Sequence, residues 1–210
     1  MRRILLLTAI LFAALPRVLA RADAAPTCAG EPFRFTLHDV MGRLFDGVES
    51  VTKAPVVLVY YQGYKSADVL DNLREALKRD PLVGDGTRLG EQWAGFPIID
   101  YKEGWFVPGW AIDKALRERM AKNPKTIFLQ DKGECMTKTG PSKKCPGPTR
   151  IPYFKSNEGS VAVVYRGYLV KKFAGPTAAA PFVELLRKLS TQAEKGASYC
   201  EMKQALIGEF

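Results

Sequence analysis

At 210 residues, 47% hydrophobic and 25% charged, the chain has the composition of a single folded domain with a real core, which argues against a disordered chain. Its formal net charge of +9 favours anionic surfaces as partners without naming one, and the absence of any nucleic-acid recognition motif argues against DNA or RNA.

Residues 1–24 carry a basic start, Met1-Arg2-Arg3, an apolar run from Ile4 to Leu15, and small-residue cleavage options at Val18-Leu19-Ala20 and Ala22-Asp23-Ala24. This is the pattern of a secretory signal peptide, and the run falls short of the roughly 20 residues a membrane span needs. The expected mature chain is exported, periplasmic or secreted, and has no transmembrane segment. Its charge falls from +9 to +6 as four arginines and one aspartate leave.

Phe33 to Leu37 alternates as a half-buried strand, and Arg43-Leu44-Phe45 returns beyond a turn at Asp39 to Gly42. Val56 to Tyr61 is a continuous apolar run of β-formers, predicting a central strand covered on both faces. Gln62-Gly63-Tyr64-Lys65-Ser66 then joins it to a helix with Ser66 as N-cap and Val69, Leu70, Leu73, Ala76 and Leu77 as its apolar stripe.

A glycine-rich connection over 84–90 leads to a strand at Phe96 to Tyr101. A second helix is predicted over 109–122, with Trp110, Ile112, Ala115, Leu116 and Met120 as packing positions and Asn123-Pro124 as its stop. Thr126 to Leu129 is the next strand. Residues 131–157 form a polar insertion, Ser160 to Tyr165 and Tyr168 to Phe173 form a hairpin about Arg166-Gly167, and a last helix begins near Phe182. The main domain is assigned to 25–194, and 195–210 is a C-terminal tail tied by Cys200.

Four cysteines in an exported chain suggest two disulfides, and Cys135 with Cys145 and Cys28 with Cys200 are the favoured pairs. The first closes a short polar loop, and the second ties the two ends of the chain to the body. Zinc binding lacks a CxxC spacing or a histidine companion, the acidic residues lack calcium-loop spacing, and nothing calls for a cofactor.

This order of elements resembles the thioredoxin-like superfamily, with "FTLHDVMGRLFDG" similar to the opening hairpin of redoxins, the group spanning peroxiredoxins and TlpA-type thiol oxidoreductases. The likeness covers most of residues 33–190. Gly63 to Ala67, Val107-Pro108-Gly109 and Ser160 to Val164 resemble the exported bacterial proteins of the YtfJ type. The implied fold is a three-layer α/β/α sandwich with a mixed central sheet, an N-terminal hairpin extension and a disulfide-bearing insertion.

The resemblance also implies a nucleophilic cysteine where the central strand meets its helix, because a helix start depresses a thiol pKa. Residues 62–69 hold none. It implies a cis-proline near Gly159-Ser160, and neither position is proline. The expected protein is a non-catalytic binding or interaction protein of the cell envelope, with a protein, peptide or anionic component as partner. Lys65 beside free helix amides could hold an anion, and the aromatics Trp93, Trp105, Phe106 and Trp110 are candidates for a binding groove. The enzymatic alternative is a thiol–disulfide oxidoreductase using Cys135 and Cys145 as a displaced redox pair.

Overall fold

The computed structural model describes residues 28–63, 67–101, 106–122, 126–132, 136–137, 140–141, 154, 159–174 and 179–207. In chain order its strands are β1 (Glu31–Pro32), β2 (Thr36–Asp39), β3 (Leu44–Asp46), β4 (Val56–Gln62), β5 (Trp93–Asp100), β6 (Leu129–Asp131), β7 (Met136–Thr137), β8 (Gly140–Pro141), β9 (Ser160–Tyr165) and β10 (Tyr168–Ala174). The helices are α1 (Val48–Val51), α2 (Ala67–Lys78), α3 (Gly109–Lys122), α4 (Ala179–Glu194) and α5 (Tyr199–Ala205). Residues 1–24, where the sequence predicts a signal peptide, lie outside the described residues.

β4 organises the molecule because all seven of its side chains are buried. It pairs in parallel with β5 and antiparallel with β9, inside an eight-stranded mixed sheet of order β1-β10-β9-β4-β5-β6-β2-β3. Alternation then splits its apolar residues between two cores. Val56, Leu58 and Tyr60 meet Leu70, Leu73 and Leu77 of α2 and Phe182, Leu186 and Leu189 of α4. Val57, Val59 and Tyr61 meet Phe33, Phe35, Phe96 and Val48 of α1 on the other face. α3 covers the β5–β6 end through Leu116 and the partly buried Ile112 and Met120. Helices thus lie on both faces of the sheet, as the sequence led us to expect.

The β9–β10 turn shows why the hairpin was readable. Arg166 and Gly167 both have left-handed φ, 46° and 84°, the geometry a two-residue turn needs to match strand twist. Arg166 is held in that conformation by its Nε, which donates to the Ala197 carbonyl at 2.7 Å.

The structure departs from the sequence reading in several places. Phe33 and Phe35 are not in the paired strand; they carry the chain over the second core from β1 at one sheet edge toward β2 near the other. β2 starts at Thr36, and Asp39 closes its turn by accepting from the amides of Met41 and Arg43, both at 2.9 Å. β6 starts at Leu129 and reaches Asp131, taking in a residue first assigned to the insertion. Trp110, expected to pack, is 71% exposed.

Within the C-terminal tail the described residues include α5, a short helix begun by a capping box in which Glu201 N–H donates to Ser198 Oγ and Ser198 N–H donates to Glu201 Oε2. Met202 and Leu206 enter the first core, and Cys200 is bonded to Cys28 with Cα atoms 5.5 Å apart.

Just beyond α2, Asp80 accepts from the amides of Leu82 and Val83 and from both Nε and Nη2 of Arg187 on α4. The Arg187 hydrogen bond, with help from the two amides, holds its carboxyl below the usual aspartate range. A depressed folded pKa means that this stabilisation is complete above the unfolded value of about 3.9 and fades as pH falls through the lower folded value. Asp80→Asn is therefore expected to lower the thermal midpoint at pH 7 and to narrow its gap from wild type toward pH 2–3, read by calorimetry across that range.

Candidate functional site

β4, β5 and β6 run parallel, so their C-terminal ends meet at one margin of the sheet. In open α/β sheets that margin is where ligands and chemistry gather. Here each apolar strand ends in polar residues: Gln62 on β4, Asp100 on β5, and Gln130 and Asp131 on β6, all buried. The register aligns Gln62 with Ile99 and Gln130, and Asp100 with Asp131, which sorts them onto opposite faces.

On the α2 face, Gln62 Oε1 accepts from Arg74 Nη2 at 2.9 Å, and Arg74 Nη1 is 2.7 Å from Asp71 Oδ1. The Arg74 guanidinium also lies 4.3 Å from the centroid of the Tyr60 ring. The last residue of the central strand is thereby clamped to its own following helix. Burial drives the Tyr60 phenol well above its ordinary pKa, against the opposing pull of Arg74.

On the other face, the Tyr61 hydroxyl donates to Asp131 Oδ2 at 2.9 Å, and its ring stacks on Phe154 with centroids 4.7 Å apart. Burial first, then the Asp131 and Asp100 carboxylates, push this phenol far above its normal range, so it stays a protonated donor. A third cluster lies on the α2 face, where the register places Gln130. Tyr101 donates to Asp113 Oδ1, Gln130 Nε2 donates to the Tyr101 oxygen at 2.6 Å and to Asp113 Oδ1 at 2.7 Å, and Lys132 Nζ is 3.6 Å from Asp113 Oδ2. Burial and Asp113 raise the Tyr101 pKa as well.

This margin can present fixed donors and acceptors to a ligand. Among the described residues it offers no thiol and no grouping of three metal-ligating side chains, and the lone histidine, His38, is exposed on β2.

Of the residues singled out from sequence, Gln62 and Gly63 stand at the junction, whereas Tyr64, Lys65 and Ser66 lie outside the described residues, as do Trp105, Cys135 and Cys145. Gly159 and Ser160 are buried, and Ser160 pairs across from Tyr61. The three of the four aromatics that are described do not share one groove. Trp93 starts β5 at the opposite end of the strand and donates its Nε1 to the Val83 carbonyl at 2.7 Å, while Phe106 and Trp110 are exposed beyond the C-terminal end. The polar clusters centred on Tyr61, Arg74 and Tyr101 were missed; their one sequence signal was a polar residue closing each apolar strand.

A central strand flanked by one parallel and one antiparallel neighbour, with crossover helices and a final hairpin and helix, defines a thioredoxin-like α/β domain. No family model and no curated protein matches the chain by sequence. Among solved structures it is similar to the exposed lipoprotein thioredoxin of Streptococcus pneumoniae, at 16% identity and TM-score 0.44 over 74% of this chain and 99% of that one. It is similar also to copper-bound yeast Sco1, at 14% and 0.45 over 83% and 98%. A thiol:disulfide interchange protein of the thioredoxin family from Chlorobium tepidum matches at 11% and 0.41 over 80% and 99%.

Proposed function

We propose that this is an exported thioredoxin-like binding protein in which the strand-to-helix junction holds a ligand instead of performing thiol chemistry. The observation that carries the reading is Gln62: the margin where this fold would place its reactive thiol is closed by a buried amide locked to Arg74. A residue fixed in that way presents hydrogen-bonding surface and has no nucleophile to offer. Export rests on the pattern of residues 1–24, and the ligand class is a peptide, a protein or an anionic envelope component, in keeping with the positive charge.

A second reading has its own observation. Strands β7 and β8, which fall between Cys135 and Cys145 in sequence, pair antiparallel with Met136 opposite Pro141, an arrangement compatible with a displaced redox pair there. One experiment separates the two. The chain beginning at residue 25 is equilibrated in glutathione buffers and its thiols are trapped and mapped by mass spectrometry, alongside an insulin-reduction assay. The binding reading expects no insulin reduction and no bridge that opens before the chain unfolds. A bridge that opens reversibly at about −120 to −270 mV, with insulin reduction lost in a folded Cys135→Ser chain, would establish the oxidoreductase instead.

A further inference from the structure

Helix α3 has two unlike sides. Ile112, Leu116 and Met120, four residues apart, face Val40, Phe128 and the partly buried Ile99 and Tyr101. Asp113 fixes that orientation through Tyr101 and Gln130. With the helix so pinned, positions 110, 114, 117 and 121 form the stripe on the far side. That stripe reads Trp110, Lys114, Arg117 and Ala121, all exposed, with Trp110 at 71% and Phe106 in the preceding turn at 53%. Glu118, four residues after Lys114 and the single exposed acid among the described residues of α3, borders the stripe with Lys122 beyond it, while the exposed Arg119, seven residues from Ile112, falls toward the inner side.

Large rings and cations on one side of a helix suit a flat anionic boundary, where rings enter the headgroup layer and cations meet lipid phosphates. The side is convex, which fits a plane better than a pocketed protein partner, and a sequence pI near 9.4 adds long-range attraction. We propose that the outer side of α3 docks the protein on an anionic lipid surface, whatever the junction after β4 binds.

The test is vesicle sedimentation with the chain beginning at residue 25, which retains every described element. The probes are vesicles of phosphatidylcholine alone and vesicles containing about one-third phosphatidylglycerol. The wild type is expected on the anionic vesicles only, and to leave them at about 0.5 M salt, where charges are screened within a few ångströms. K114Q/R117Q is expected to bind about 30-fold more weakly, near fivefold per cation. W110S is expected to lose about tenfold, for withdrawing roughly 60 Å² of ring surface from the boundary. K78Q/R79Q, which removes two exposed cations at the end of α2, is the control and should bind as wild type. All these positions are exposed, and circular dichroism checks that each variant is folded. The proposal fails if the wild type ignores anionic vesicles, if K114Q/R117Q binds as wild type, or if the α2 control loses as much. Binding of polyglutamate but not of vesicles through the same residues would assign the surface to an acidic protein and overturn the lipid reading.

Discussion

Replacing both Cys28 and Cys200 by serine is expected to remove about 5 kcal/mol of stability, the loop-entropy value for a bridge whose cysteines are 172 residues apart in sequence. That is a large share of the roughly 5–15 kcal/mol that holds a domain together. The folded contacts around the bridge should survive its loss. Met202 and Leu206 remain buried in the first core, Tyr199 stacks on Tyr168 with centroids 4.7 Å apart, and Lys203 donates to the Ala29 carbonyl at 3.2 Å. The loss therefore resides mainly in a freer unfolded chain, so the double variant should keep its circular dichroism at 25 °C while its thermal midpoint falls by about 10–20 °C. A drop of only a degree or two would mean that the unfolded chain already keeps its ends together, and that the bridge is dispensable to the fold.

The sequence was most legible where a local signal decided the structure. Arg166-Gly167 placed the β9–β10 hairpin, and α3 has the bounds that Pro108 and Asn123-Pro124 suggested. It was least legible where partners are distant. Tyr61 and Asp131 are 70 residues apart and Asp113 and Gln130 are 17 apart, so no window of the chain shows either cluster. The alternation of Phe33, Phe35 and Leu37 correctly put all three side chains on one buried side, but period 2 does not say whether the backbone is paired. Trp110 was grouped with the inner positions on hydrophobicity alone; counting by fours from Ile112 would have set it on the opposite side. The α5 helix had a visible signal in Ser198-x-x-Glu201, yet at seven residues its stability comes from the bridge and from Met202 rather than from propensity.

Tyr61 offers the sharpest test of the polar margin, because its ring and its hydroxyl can be removed separately. Tyr61→Ala deletes a ring that fills the second core and stacks on Phe154, and an aromatic truncation of that kind costs about 3–5 kcal/mol. Tyr61→Phe keeps the ring and takes only the proton donated to Asp131, leaving a buried carboxylate oxygen short of one donor, for about 1–3 kcal/mol. The hydroxyl's share of both losses depends on pH, whereas the ring's share does not. The Tyr61 phenol has a folded pKa raised by burial and then by Asp131 and Asp100, so its contribution is complete below the unfolded value of about 10 and declines as pH rises toward the folded one. Urea unfolding at neutral pH and again near pH 11 should show the deficit of Tyr61→Phe shrinking at the higher pH, because the wild type alone must keep that phenol protonated. The cavity left by Tyr61→Ala remains at both. Equal stability of Tyr61→Phe and wild type at neutral pH would show that Asp131 needs no donor from β4. The expected deficit would instead make that hydroxyl the tie between the ends of β4 and β6, and so the element that keeps this polar margin in shape.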